Sequence, residues 1–125
     1  MLGSHEATAT IAVKNLDAAR QFYEGKLGLK PRDTPEPQVV FYKAGSSGLL
    51  VYKSEYAGTN RATAATWTVN DVDGLAKELQ SRGVRFERYD FPGCQHVGEV
   101  HVMGSRRVAW FKDPEGNILN ISSRG

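Results

Sequence analysis

Apolar and polar positions alternate from Ala7 to Val13. Ala9, Ile11 and Val13 share one side, and Thr8, Thr10 and Ala12 the other. This is the pattern of a strand with one apolar face and one small, partly polar face. From Leu16 the period changes: Leu16, Ala19, Phe22, Tyr23 and Leu27 recur at helical spacing, with Asn15 or Asp17 as cap and Gly28 as stop. A short strand follows over Leu29–Arg32, then a loop or sheet edge built from Pro31, Asp33, Thr34, Pro35 and Pro37. Strands over Val39–Lys43 and Leu49–Lys53 flank Ala44–Gly48. The predicted order is β-α-β-β-β. A polar connector, Ser54–Thr63, ends this unit, and the pattern restarts. Ala65, Trp67 and Val69 alternate with Ala64, Thr66 and Thr68, Asp71 caps a helix with the stripe Val72, Leu75, Ala76 and Leu79, and Gly83 ends it. A strand over Val84–Tyr89 comes next. A hairpin over Trp110–Ile121 closes the series, its turn Asp113-Pro114-Glu115-Gly116-Asn117 rich in residues suited to tight bends.

The two series align with each other. Thr10 falls on Thr66, Val13 on Val69 and Asn15 on Asp71 at an offset of 56, and Gly28 on Gly83 at 55. Phe41-Tyr42-Lys43 and Gly48–Tyr52 fall on Trp110-Phe111-Lys112 and Asn117–Ile121 at 69. Matching order and matching turn residues read as an internal duplication. The expected modules are residues 7–53 and 64–123, the second carrying an insertion at about 90–104 that includes an extra strand, Glu99–Met103.

Composition narrows the class. With 125 residues, 40% of them hydrophobic, the chain suits one domain or two small modules sharing a core. No apolar run approaches the ~20 residues of a membrane span, and no charged and apolar leader opens the chain. Acids and bases are interspersed around a net charge of +2, which argues against a nucleic-acid partner. The single cysteine, Cys94, rules out an intramolecular disulfide framework and suits a reducing cytoplasm. Met1–Glu6 is set aside from the fold.

The paired βαβββ units, with Val13-x-Asn15-Leu16-Asp17 before the first helix, Phe22-Tyr23 and Leu27-Gly28-Leu29 at its end, and Phe111-x-Asp113-Pro114-x-Gly116-Asn117 in the last hairpin, resemble the vicinal oxygen chelate superfamily. That group includes glyoxalase I, extradiol dioxygenases, fosfomycin-resistance proteins and bleomycin-binding proteins. The resemblance runs from about Ala7 to Ser122. It implies an α+β fold, with a curved, cup-shaped mixed sheet, helices on the outside, a small-molecule ligand in the cup, and a homodimer. In the metal-using members, four cup positions supply His, Glu or Gln. Carried onto this chain they are Thr8, Val51, Ala64 and Asn120.

None of these four is a good ligand for a divalent ion, which wants imidazole, thiolate or several carboxylate or carbonyl oxygens. The expectation is therefore binding of a small molecule without metal or other cofactor. Strand parity places Thr10 and Thr66 beside Thr8 and Ala64, sets Trp110 across from Asn120, and sets Phe41 across from Val51. With Phe91 from the insertion, these residues describe a pocket for a flat or apolar organic molecule, aromatic ones included. The alternative is a lyase, isomerase or dioxygenase working through His96, Glu99 and His101 of the insertion, with Glu99 and His101 on one face of a strand and His101 as base or hydrogen-bond donor. Cys94 is expected to be inert. A closed cup would instead mark a protein-interaction module.

Overall fold

The structure is a computed structural model and describes residues 1–32 and 37–123. The expected loop positions Asp33, Thr34 and Pro35 lie outside the described residues. Among the described residues, two mixed sheets and two α-helices, beside a short 3-10 turn at Leu2–Ser4, make an α+β fold. The first sheet contains β1 (Ala9–Val13), β2 (Lys30–Arg32), β3 (Val39–Ala44) and β4 (Ser47–Lys53), in the order β1-β4-β3-β2. The second contains β5 (Thr63–Thr68), β6 (Phe86–Glu87), β7 (Gln95–Val97), β8 (Val100–Met103), β9 (Arg106–Lys112) and β10 (Ile118–Ser122). Its order is β5-β10-β9-β8-β7, and β6 pairs with the far end of β9. Edge strands β1 and β5 lie against each other, so the sheets sit side by side.

Both helices start as their capping residues dictate. Asn15 Oδ1 accepts from the Ala18 N–H ahead of α1 (Leu16–Arg20), and Asp71 Oδ1 accepts from the Gly74 N–H ahead of α2 (Val72–Ser81). After Arg20 the first helix widens into a π-helical segment, Gln21–Lys26, closed by Leu27 N–H donating to the Phe22 carbonyl. The wider turn buries the consecutive rings of Phe22 and Tyr23. One core joins the helix sides of both sheets: Ile11, Val13, Val40, Tyr42, Leu49 and Val51 meet Val72, Phe111, Leu119 and Ile121. Phe22 from the first half packs 6.4 Å from Phe111 in the second. Arg107 of β9 holds Asp73 of α2 with two hydrogen bonds, at 2.8 and 2.7 Å, fixing that helix on its sheet. This pairing lowers the pKa of Asp73.

Three strand expectations change. The strand expected over Val84–Tyr89 is reduced to Phe86–Glu87, because the chain then leaves the sheet edge. The insertion forms a hairpin, so β7 joins the expected extra strand, and that strand starts at Val100 instead of Glu99. The third change concerns register. In the last hairpin Trp110 pairs with Asn120 around a five-residue loop, as expected. In the first hairpin Phe41 pairs with Leu50, and Val51 pairs with Val40. Between the equivalent pairs Lys43–Gly48 and Lys112–Ile118, the first hairpin has four residues where the second has five. A slip of one residue turns a strand over, and Val51 points into the core with no exposed surface.

Candidate functional site: the open face of the second sheet

The face turned away from the helices carries the residues that sequence parity put there, apart from Val51 and Ala64, which packs against the core. On the first sheet Thr8 and Thr10 are exposed and Phe41 is half-buried under the Arg32 guanidinium, 5.3 Å from its ring centre. Leu50, half-buried, takes the place expected for Val51. On the second sheet Thr66 pairs with Asn120, which pairs with Trp110. Ala64 lies at an irregularity in the β5–β10 pairing. The Trp110 indole reaches β5, donating from Nε1 to Thr63 Oγ1 at 3.1 Å. Strand β10 lies between β9 and β5, so the indole crosses above it, and Asn120 is buried.

Aromatic side chains gather on this face. After β6 the chain crosses it as a strap, Arg88–Cys94, before returning as β7. Tyr89 and Phe91 of the strap meet Trp110 edge-on at 5.4 and 6.3 Å. His101 lies 4.9 Å from Trp110, and Phe91 stacks over His101 at 6.4 Å with only 5° between the planes. His96, opposite His101 in the β7–β8 hairpin, completes the cluster at 4.7 Å. The fold thus brings together Phe91, His101, Trp110 and Asn120, and leaves Phe41, Thr8 and Thr10 on the neighbouring sheet. Tyr89 was not singled out from sequence. The available signal was its spacing of two from Phe91, which gives the two rings a shared side in an extended segment.

Both histidines are engaged. His101 is completely buried, and its Nε2 accepts the Tyr89 N–H at 2.9 Å. His96 Nε2 lies 2.9 Å from the Tyr89 carbonyl. Burial, and secondarily the charge of His96, hold the pKa of His101 below its ordinary value, and the Tyr89 N–H, which needs the bare Nε2 lone pair, acts in the same direction. Glu99 sits in the β7–β8 turn instead of sharing a strand face with His101. His96, Glu99 and His101 therefore do not form a metal-ligand set, and among the described residues no three His, Cys, Asp or Glu side chains are grouped to hold an ion. At the four cup positions, a hydroxyl, two aliphatic side chains and an amide do not suit a divalent metal either. Cys94 is half-buried and unpaired.

A cavity of about 480 Å³ opens where β1 and β5 diverge, between the 44–48 turn and Thr66–Thr68. Of the residues expected to bind ligand, Thr66 lines it. Three buried polar atoms find no hydrogen-bond partner among the described residues: Tyr89 OH, His101 Nδ1 and Asn120 Oδ1. All three belong to residues surrounding Trp110.

The last hairpin has a different task. Asp113, buried at its start, accepts from Tyr23 OH at 2.8 Å, from the Glu115 and Asn117 N–H groups, and from Asn117 Nδ2. Asn117 Nδ2 also donates to the Ala12 carbonyl, and Glu115 Oε2 accepts from the N–H groups of Lys14 and Asn15 at 2.8 Å. The Asp-Pro-x-Gly-Asn turn thus fastens the second sheet to the first strand and first helix of the chain. Burial, followed by the Asp113 charge, pushes the Tyr23 hydroxyl pKa upward and keeps it a donor.

The model of the Glyoxalase/Bleomycin resistance protein/Dioxygenase superfamily matches residues 6–121. A search of curated proteins found no match. Among solved structures, the bleomycin resistance determinant encoded on transposon Tn5 aligns with a TM-score of 0.73 at 16% identity, covering 97% of this chain and 98% of that one. Lactoylglutathione lyase from Agrobacterium tumefaciens aligns at 0.70 and 18%, covering 96% and 93%. TnmS3, an antibiotic binding protein from Streptomyces sp. CB03234, aligns at 0.68 and 22%, covering 98% and 97%. At these identities the likeness is one of fold.

Proposed function

The chain belongs to the Glyoxalase/Bleomycin resistance protein/Dioxygenase superfamily, and on that premise we propose that it binds a small, flat organic molecule on its open face without a metal ion. One observation carries this reading. Where the metal-using relatives place their donors, this chain has Thr8, Leu50, Ala64 and Asn120, next to a wall of Tyr89, Phe91, His101 and Trp110. Aromatic faces favour stacked or edge-on contact with a planar guest, and an amide fixes its orientation. Lewis-acid activation of adjacent oxygens has no suitable donor set here. Two structural neighbours are named for antibiotic binding or bleomycin resistance, which favours sequestration of an antibiotic-like aromatic as the role. The binding face is completed by a second copy of the chain, since Phe41, Leu50, Tyr52 and Phe91 all present apolar surface on the open side. With one unpaired thiol, such a dimer suits the cytoplasm.

The test is a fluorescence screen of aromatic metabolites and antibiotics against the Trp67→Phe variant, in which Trp110 is the reporter. Saturable quenching that survives EDTA, and weakens at least tenfold in Asn120→Ala, is expected. Binding that needs an added divalent ion would overturn the metal-free reading, and the absence of any saturable response would overturn the binding reading. Sedimentation of wild type and Tyr52→Glu tests the dimer: wild type is expected to sediment as a dimer and the variant as a monomer.

A further inference from the structure

Two imidazoles grip one peptide group of the strap from opposite ends. His101 Nε2 faces the Tyr89 N–H and His96 Nε2 faces the Tyr89 carbonyl, each at 2.9 Å. The chemistry of the partners fixes the protons. A carbonyl only accepts, so His96 carries a proton on Nε2; a backbone N–H only donates, so His101 Nε2 is a bare lone pair and its proton sits on Nδ1. His96 makes its bond whether neutral or charged. His101 makes its bond only when neutral.

We propose that His101 is a proton-operated latch: taking up a proton releases the strap Arg88–Cys94 and uncovers the face around Trp110. A proton on Nε2 would face the Tyr89 N–H across 2.9 Å, two donors with no acceptor between them. The strap then loses the bond that positions Tyr89, and with it the ring contacts of Tyr89 and Phe91 with Trp110 and His101. Release also opens the three buried, unpartnered polar atoms around Trp110 to water or ligand. The charged groups around the latch work in one direction. His96 on β7 and Arg88 on the strap oppose a charge on His101. Asp90 on the strap lies 3.8 Å from His96 Nε2. On β6 and β9, Glu87 and Lys112 are paired with each other at 3.3 Å. Beside His101 itself, β9 contributes Trp110 and the cross-strand neighbour Val108, neither of which titrates.

The use of this latch, control of access to the open face, rests on the binding reading above. The motion does not, and it is tested without ligand. Amide hydrogen exchange of Tyr89 is followed from pH 7.5 to 5.0 and corrected for the intrinsic pH dependence of exchange. Because only the neutral form closes, protection should fall about tenfold per pH unit below the midpoint, while amides of β3 and β4 keep theirs. His101→Gln offers a side-chain oxygen to the Tyr89 N–H and does not titrate, so its strap should stay closed to pH 5.0. Constant Tyr89 protection in the wild type, or an unchanged acid loss in His101→Gln, would overturn the latch. Should His101→Gln fail to fold, His96→Gln decides. It keeps a donor for the Tyr89 carbonyl and removes the opposing charge, so the opening midpoint should move to higher pH, and an unmoved or absent transition refutes the proposal.

Discussion

Asp113 shows how much one side chain holds. Its carboxylate is almost fully buried and accepts from a phenol, a side-chain amide and two backbone N–H groups. Removing it strands the buried Tyr23 hydroxyl and the loop's donors. Asp113→Ala should therefore lower unfolding free energy by about 3 kcal/mol in a denaturant titration, with Asp113→Asn losing less because one acceptor remains. His101 makes the complementary case, a buried titratable group kept neutral. Its folded-state pKa is lowered, so the unfolded chain takes up the proton first. The associated stability is complete above about pH 6.5, the ordinary histidine value, and is lost as pH falls toward the folded value. Thermal midpoints measured from pH 7.5 to 5.0 should decline, and His101→Gln should flatten that decline.

At the scale of the element, the two hairpins differ by one residue of turn, and the difference decides which side chains face ligand. Gly45 adopts φ +59 in the two-residue turn, and a Cβ there would meet nothing within 4 Å. Gly45→Ala should cost about 1 kcal/mol, a purely conformational penalty. Gly58, at φ +77, is different, since its Cβ would approach the Glu115 carbonyl to 2.5 Å. Gly58→Ala should cost clearly more than Gly45→Ala in the same denaturant assay, because it pushes on the turn that fastens the two sheets. The positions of the helices and most strands were legible from periodicity and caps, since Asn15 and Asp71 announce their roles locally. Register was not: a uniform offset of 69 cannot reveal that β3 keeps it while β4 departs to 70, because only the pairing of Phe41 with Leu50 against Trp110 with Asn120 exposes the missing residue. Nor could β7 be read, for Gln95-His96-Val97 pairs with a neighbour that its own alternation does not identify.

At the scale of the whole molecule, the sheets share a core and a polar joint. Among the described residues no helix is long and apolar enough to cross a membrane. Phe22 against Phe111 supplies the apolar part of the joint, and Glu115 and Asn117 the polar part. Wild type should unfold in one transition, with tryptophan emission, reporting Trp67 and Trp110 of the second sheet, coinciding with far-ultraviolet circular dichroism. Glu115→Ala with Asn117→Ala should lower the unfolding free energy, by about 1 kcal/mol for each residue, and separate the two traces.

The sequence by itself determined the repeated order of strands and helices, the caps and most of the apolar faces. Each of these depends on residue type and local spacing, which the chain carries along its length. Tertiary structure decided that Val51 is core and Leu50 faces outward. It turned the Asp-Pro-x-Gly-Asn hairpin into a fastening between the sheets, and it set His96 and His101 on one peptide of the strap. Those facts depend on strand register and on contacts between distant segments, such as the approach of Glu115 to Lys14 and Asn15, and no local pattern encodes the distance between residues that only folding brings together.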